Sequence, residues 1–440
     1  MKHSRFLILA AIVLLFVLPA ILSHSLVNAV NQMLIAALFA CAFNLLCGQA
    51  GMLSFGHAAY FGIGAFATLH AMGIMGQESL LPTPLLPLAG ACVGFLSGLV
   101  AGWFSTKRTG VYFSMITLAL AELLHTMAPH LRSLFGGEAG LSGMRYPALG
   151  LSFGSDIHVY YLTLVWVLGA IGLQYYITLT PYGRLVLALR ENSHRLSFLG
   201  YNVHHLGTLT FALSAMLTGI AGGLQAISIE ASNYAIFDMH LSSEVVLNTY
   251  IGGVNVFLGP ILGAAVMTFF GNAASDLTRN WLLYKGIIFV LVMMFMPTGI
   301  AGLVMMLTAN LRKYSALLLW PVLLLSCIAT FLLTMGTVFT VEMMQRILSQ
   351  DYQMLAQMSG GGEWPPVLLF GRQWLPGSLI SWGLPVVLFA AGGYFVKLAK
   401  NRWRVLQEAS SDQPSETDSI HNLGEMTTQS ELELNEREKA

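Results

Sequence analysis

The stretch from Val27 to Leu46, VNAVNQMLIAALFACAFNLL, holds no charged side chain. Coiled as an α-helix, a run of that size reaches about 30 Å, the depth of a bilayer's hydrocarbon core. Similar runs recur near 6–22, 57–75, 85–104, 111–128, 157–179, 206–229, 244–258, 259–275, 285–307, 316–340 and 378–396. They predict an all-α, polytopic transmembrane helical bundle, with about 10 core spans and about two more towards the C-terminus. The run at 244–258 is short and meets Gly259-Pro260, so it reads as a candidate re-entrant or broken helix.

Composition agrees with that fold. Of 440 residues, 56% are hydrophobic and 10% are charged, with a mean hydropathy of +0.69. A soluble domain carries about 25% charged residues. The formal net charge of zero hides an asymmetry. Nine acidic and two basic residues from Val405 to Ala440 give −7, and the 19 basic and 12 acidic residues before them give +7. Three regions follow: a transmembrane core at 1–307, an extra membrane segment with two spans at 308–400, and an acidic tail at 401–440. The tail is polar and poor in apolar residues, which predicts disorder.

Met1–Ala20 has a basic start and an apolar core, but no good Ala-x-Ala site follows, and Ser23-His24-Ser25 is a weak substitute. The first helix is therefore expected to be retained. With the N-terminus in the cytoplasm, the cytoplasmic segments hold 13 Lys and Arg and the opposite side holds six, including Arg279 and Lys285. Twelve crossings return the tail to the cytoplasm. Cys41, Cys47, Cys92 and Cys327 show neither Cys-x-x-Cys nor zinc spacing and read as small packing residues. Glycine clusters such as Gly62-x-Gly64 and Gly222-Gly223 suit close helix packing in a membrane. A faint repeat sets Asn44-x-x-x-Gly48 against Asn248-x-x-x-Gly252, as broken helices of transport proteins often do.

Between two spans lies Thr180-Pro181-Tyr182-Gly183-Arg184-Leu185-Val186-Leu187-Ala188-Leu189-Arg190-Glu191-Asn192. Thr180 is placed to cap a helix that begins at Pro181, and Gly200-Tyr201-Asn202 ends the segment. An amphipathic helix of this kind lies on the membrane surface or docks into a partner's groove. Gly183-Arg184, Arg190-Glu191-Asn192 and Leu199-Gly200 resemble the coupling segment of branched-chain amino acid ABC importer permeases. Three further blocks agree. Gly48-Gln49-Ala50-Gly51-Met52-Leu53-Ser54-Phe55-Gly56-His57-Ala58-Ala59-Tyr60-Phe61-Gly62 is similar to that family's glycine-rich signature. Tyr112 to Ala119 looks like its mid-chain helix. Gly252-Gly253 with Leu258 to Ala264, and Pro297-x-Gly299-Ile300-Ala301-Gly302-Leu303, resemble its late turn and core closure. Order and spacing fit the M-type subunit, over roughly residues 25–305.

The resemblance implies a permease subunit of an ATP-driven importer in the bacterial inner membrane, carrying branched-chain amino acids. It implies a second, homologous permease, two cytoplasmic ATP-binding subunits and an extracytoplasmic solute-binding protein, within membrane lipid and without nucleic acid. Gly183, Arg184, Arg190, Glu191, Asn192 and Gly200 in segment 181–202 would contact the ATPases. The chain has no Gly-Lys dipeptide, hence no phosphate loop of its own. Ser193-His194-Arg195-Leu196 departs from the small-residue pattern expected there, and 309–440 has no counterpart in a minimal member. Permeases for urea or short amides, or an ion-coupled secondary transporter, are the alternatives.

Polar residues inside apolar runs are the candidates for a solute path. Asn44, Gln49, Ser54 and His57 surround a helix break, where they line a path or satisfy freed backbone groups. Glu122, with His125 one turn on, is costly at membrane depth and calls for a partner or a wet cavity. Thr117 shares its helix. Glu244 and Asn248 form the matching pair in the second half. Asp156, Asp238 and Asp276 read as solvated span ends. No catalytic group, metal site or cofactor is expected.

Overall fold

A computed structural model describes residues 2–75, 82–148, 150, 152–278, 280–296, 298–313, 316–358, 365–369 and 372–411. Arg279, Pro297 and the chain past Ser411 lie outside the described residues. Two compact units divide at 306/307.

The first unit opens with α1 (Lys2–Val17), α2 (His24–Asn44), α3 (His57–Met75), α4 (Pro87–Ser105) and α5 (Val111–Met127). After the short α6 (Arg132–Phe135) come α7 (Asp156–Leu179), α8 (Pro181–Glu191), α9 (Ser193–Phe198) and α10 (Val203–Ile229). It closes with α11 (Met239–Gly252), α12 (Gly259–Leu277), α13 (Trp281–Phe295) and the start of α14 (Gly299–Lys313). A small antiparallel pairing joins β1 (Leu141–Ser142) to β2 (Ala231–Ser232), with Leu141 opposite Ser232.

By length and composition, six helical stretches among the described residues are apolar enough to cross a membrane. They are His24–Gln49, Thr83–Ser105, Asp156–Leu179, Val203–Ile229, Leu319–Leu348 and Leu379–Val405. Burial concentrates on α2 and α10, where Leu38, Phe43, Leu217, Leu224 and Ile227 are sealed from solvent. What brings the helices so close is small side chains. Gly90, Gly94, Gly98 and Gly102 recur every fourth residue on α4 and form one stripe against α10. A Cβ on Gly94 would lie 2.7 Å from the Ala215 carbonyl oxygen, and one on Gly98 would lie 2.5 Å from the Ala215 Cβ. Without a hydrophobic force between lipid-bathed helices, such backbone contact is what drives association.

Three expectations need correction. The span expected at 285–307 is two helices bent by 49°, α13 ending at Phe295 and α14 starting at Gly299. The short run at 244–258 is shifted: α11 starts at Met239 and ends at Gly252. At 1.5 Å per residue α11 is about 21 Å long, less than a hydrocarbon core. It turns through 253–258 and returns as α12, with Gly252, Gly259 and Gly263 in backbone contact across the turn. The surface helix within 181–202 is also double, since Asn192 ends α8 and its side chain caps α9 through the Arg195 N–H.

The second unit pairs α15 (Ala316–Leu348) with α17 (Leu379–Ser411), joined through α16 (Gln350–Met358) and a hairpin of β3 (Val367–Leu369) and β4 (Arg372–Trp374). A Cβ on Gly392 would lie 2.7 Å from Leu333 Cγ, and the Phe339 and Trp374 rings meet edge-on at 4.9 Å. Helix α17 runs through 401–411, which the sequence assigns to a disordered tail.

Candidate functional site

Asp238 starts α11 by accepting the His240 N–H on Oδ1 at 2.8 Å, a helix N-cap rather than a merely solvated charge. From that cap Glu244 and Asn248 project one turn apart on one face. Both line a cavity of about 720 Å³. Its rim is the exposed chain at Ala139, Ala231, Asn233 and His240, and its deeper wall is the buried Ile35, Phe39, Val245 and Asn248. From His240 to Asn248 the cavity follows α11 for about 12 Å.

The Glu244 carboxylate accepts a hydrogen bond from the Lys285 ammonium of α13. Lys285 is 4% exposed, and its ammonium also lies 5.6 Å from the Trp281 ring centroid. A lysine this deep requires such a counter-charge. Counted as one loop charge among several, Lys285 gives no hint in sequence of that pairing. Asn248 is 3% exposed, and its Oδ1 finds no hydrogen-bond partner among the described residues.

Helix α2 ends in a π-helical turn, Leu45–Gln49, and the chain then runs irregularly to Gly56. Asn44 is buried there with its Oδ1 unpartnered among the described residues, and Gln49 is half-buried. A Cβ on Gly48 would fall 2.1 Å from Asn44 Oδ1 and 2.7 Å from the Val254 carbonyl oxygen. Only glycine lets this turn meet the one between α11 and α12. Arg190 of α8 ties the two together. Its Nη1 donates to the Gly48 carbonyl at 2.5 Å and its Nη2 donates to Asn255 Oδ1 at 2.8 Å.

Ser54 and His57 lie together but away from the cavity. Ser214 donates its proton to the Ala42 carbonyl at 2.7 Å, so its oxygen accepts from His57 Nε2 at 2.8 Å. That leaves His57 Nδ1 to accept from the Ser54 hydroxyl at 3.0 Å. Phe43, Tyr60 and Phe211 enclose the ring. This neutral, satisfied histidine has no free nitrogen for a solute. Thr117 donates to the Ser114 carbonyl, and its own carbonyl oxygen would touch a Cβ on Gly56 at 2.1 Å. Glu122 stands apart from the cavity lining, 45% exposed and 3.8 Å from His125. The His125 ring stacks on Tyr234.

A clamp holds the chain above the cavity rim. Glu230 Oε1 accepts from the Arg145 backbone N–H at 2.8 Å and from Arg145 Nε at 2.9 Å. Partial burial pushes the Glu230 carboxyl up, but those hydrogen bonds and the Arg145 charge together hold it below the usual carboxylate range.

At the far end, Thr180 caps α8 by accepting the Gly183 N–H. Gly183 is buried, because a Cβ there would lie 2.5 Å from the Ile177 carbonyl oxygen. Tyr182 shares a hydrogen bond with Thr210 Oγ1 at 2.8 Å, and burial pushes its phenol up to about 12. Val186 and Leu196 anchor the inner face of α8 and α9. Arg184 and Glu191 face outward, Asn192 caps α9, and Gly200 takes a φ of 87° to leave it. Leu187, Phe198, Leu199 and Tyr201 are exposed, Phe198 at 91%.

The family model described as the permease component of branched-chain amino acid transport systems matches residues 25–297. The high-affinity branched-chain amino acid transport system permease protein LivM of Escherichia coli (strain K12) is 26% identical over 325 residues, covering 68% of this chain and 75% of that protein. LivH of Salmonella typhimurium (strain LT2), of the same description, is 23% identical over 287 residues, covering 60% and 91%. A probable LivH permease of Methanocaldococcus jannaschii is 25% identical over 261 residues, covering 57% and 82%. No solved structure matches the chain.

Proposed function

The chain belongs to the permease family of branched-chain amino acid transport systems, and on that premise we propose that it is one subunit of an ATP-driven importer. Its solute is a branched-chain amino acid, as the names of its relatives support. Likeness to permeases of both the LivM and the LivH name supports assembly with a second permease. Two ATP-binding subunits and a solute-binding protein complete the importer, in a bacterial inner membrane. Segment 181–202 faces the cytoplasm, as do both termini, and the cavity on α11 opens to the opposite side.

One observation carries the mechanism: Arg190 reaches from α8 to both irregular turns. A guanidinium holds two acceptors in a fixed fork. Motion of α8 and α9 is thereby passed to the Gly48 turn and the Asn255 turn, which close the chain beyond the cavity. Arg184, Glu191 and the exposed Leu187, Phe198 and Leu199 are available to an ATPase groove. Arg190 itself acts inward. ATP hydrolysis pulling on the surface helices would part the turns and pass solute from the cavity to the cytoplasm.

The test is leucine uptake by the complete importer in proteoliposomes. Wild type takes up leucine only with ATP. Arg190→Ala keeps ATP hydrolysis and loses uptake, and Arg190→Lys, which lacks the fork, falls between. Uptake that needs no ATPase and follows an ion gradient overturns the proposal; unimpaired uptake by Arg190→Ala overturns the coupling route.

A further inference from the structure

The second unit ends in a cluster of charge that solute movement does not use. From Leu379 to Gln407 the only charged residues are Lys397, Lys400, Arg402 and Arg404, all basic. They close α17, whose apolar stretch Leu379–Val405 is long enough to cross a membrane. All four are exposed, and none enters an ion pair among the described residues. Lys397, Lys400 and Arg404 share one helix face, where Lys400 and Arg404, four residues apart, repel each other. Tryptophans mark the depth of these charges. Trp382 and Trp403 lie 21 residues apart on α17, about 32 Å, the thickness of a hydrocarbon core. Gly392 packs beside Leu333 and Gly336 beside Leu388, so α15 runs antiparallel to α17. That sets the exposed Trp320 at the same end as Trp403. Indole rings settle at the level of lipid headgroups. The opposite end of the unit is balanced among the described residues, with Glu342 and Asp351 against Arg346 and Arg372.

We propose that this end of α17 is a binding surface for anionic phospholipids, whose headgroup phosphates its four cations gather. Lysine and arginine only donate and a phosphodiester only accepts, so the two match in charge and in hydrogen bonding. The stretch that follows, Val405 to Ala440, carries −7 and is the other source of negative charge. It reaches Lys397 and Lys400 only by leaving water, because both precede Trp403 on the hydrocarbon side of the aromatic level. Headgroup phosphates already border that depth, and a lysine stem lying along apolar surface extends its ammonium to them. The leaflet concerned, the cytoplasmic one, follows from the proposed orientation; the headgroup chemistry does not depend on it. The second unit then selects the lipid around the chain, a task apart from transport.

The experiment places the full chain in phosphatidylcholine vesicles that hold a trace of photoreactive phosphatidylglycerol, or of phosphatidylcholine with the same reactive group. After illumination, adducts are mapped by peptide mass spectrometry to the end of α17 and, as an internal reference, to the β3–β4 hairpin. At the end of α17 the anionic lipid is expected to exceed the neutral one about fivefold or more, the enrichment that one cation beside an anionic surface confers. At the hairpin the two lipids label equally. Lys397→Gln/Lys400→Gln/Arg402→Gln/Arg404→Gln brings the ratio at α17 to about one, whereas Arg402→Lys/Arg404→Lys, which keeps the charges, retains the preference. Equal labelling of the wild type by both lipids overturns the proposal, as does a preference that survives in the folded fourfold variant. Should that variant fail to fold, wild type in 1 M salt decides, since screening then acts within about 3 Å: an undiminished preference overturns the proposal. A chain ending at Ser411 separates the two sources of charge. A preference that emerges only after 412–440 is removed assigns the cations to the acidic stretch and overturns lipid binding by the full chain.

Discussion

Glu230 occupies a φ of 61°, a left-handed backbone that side-chain-bearing residues enter at a cost. Its carboxylate repays that by closing the Arg145 clamp over the cavity rim. Because the folded carboxyl titrates below its ordinary value, the clamp stabilises the protein fully at pH above that ordinary value. The contribution is lost as pH falls through the depressed folded value. With the Glu230 side chain 35% exposed, solvent screens much of the interaction, so the effect is small. Thermal unfolding midpoints in detergent should fall towards acid pH less steeply for Glu230→Gln than for wild type. Equal slopes would show that the clamp does not titrate. Single residues such as Glu230 and Lys285 were hard to read from the chain, since their partners Arg145 and Glu244 lie 85 and 41 residues away. Asp238 was legible in principle: an aspartate just before an apolar helical run is an N-cap signal.

At the level of elements, helix starts at His57, Val111 and Gly259 coincide with the onsets of apolar runs that follow breaks containing glycine. Hydrophobicity decides those ends, and hydrophobicity is visible in sequence. The π-turn at Leu45–Gln49 is not of that kind. It is held by Arg190, 142 residues further along, and nothing in its own composition distinguishes it from an ordinary helix end. The glycine stripe of α4 is intermediate: its spacing of four is plain in sequence, while its partner, α10, is settled only by packing. That stripe carries a prediction. Gly98→Leu places a side chain where even a Cβ lies 3.0 Å from the Ala212 Cα, so backbones must separate. Overpacking of this sort costs about 1–3 kcal/mol or more. Gly172→Leu on α7, where a Cβ meets nothing within 4 Å, is the matched control. Size-exclusion profiles after heating should show early aggregation for Gly98→Leu and wild-type behaviour for Gly172→Leu. Similar profiles for both would remove the stripe as the cause of α4–α10 association.

For the whole molecule, the family match covers 25–297, while the second unit begins at 307. That unit satisfies itself: α15 and α17 meet through Gly336 and Gly392, and Met343, Tyr352, Val367 and Leu369 form a separate buried cluster. The candidate features, from Asn44 to Lys285, all precede it. We therefore expect transport chemistry to belong to the first unit and the rest to be dispensable for solute movement. Ending the chain after Lys313, between α14 and α15, tests this without cutting a helix. In proteoliposomes with the other importer components, the shortened chain should take up leucine at the full-length rate per assembled complex. Counting assembled complexes matters, because lower uptake from poor assembly would point to a packing role for the second unit. Lost uptake by complexes that assemble and hydrolyse ATP normally would place part of the transport cycle in residues 314–440. The division of labour drawn from the sequence match would then be wrong.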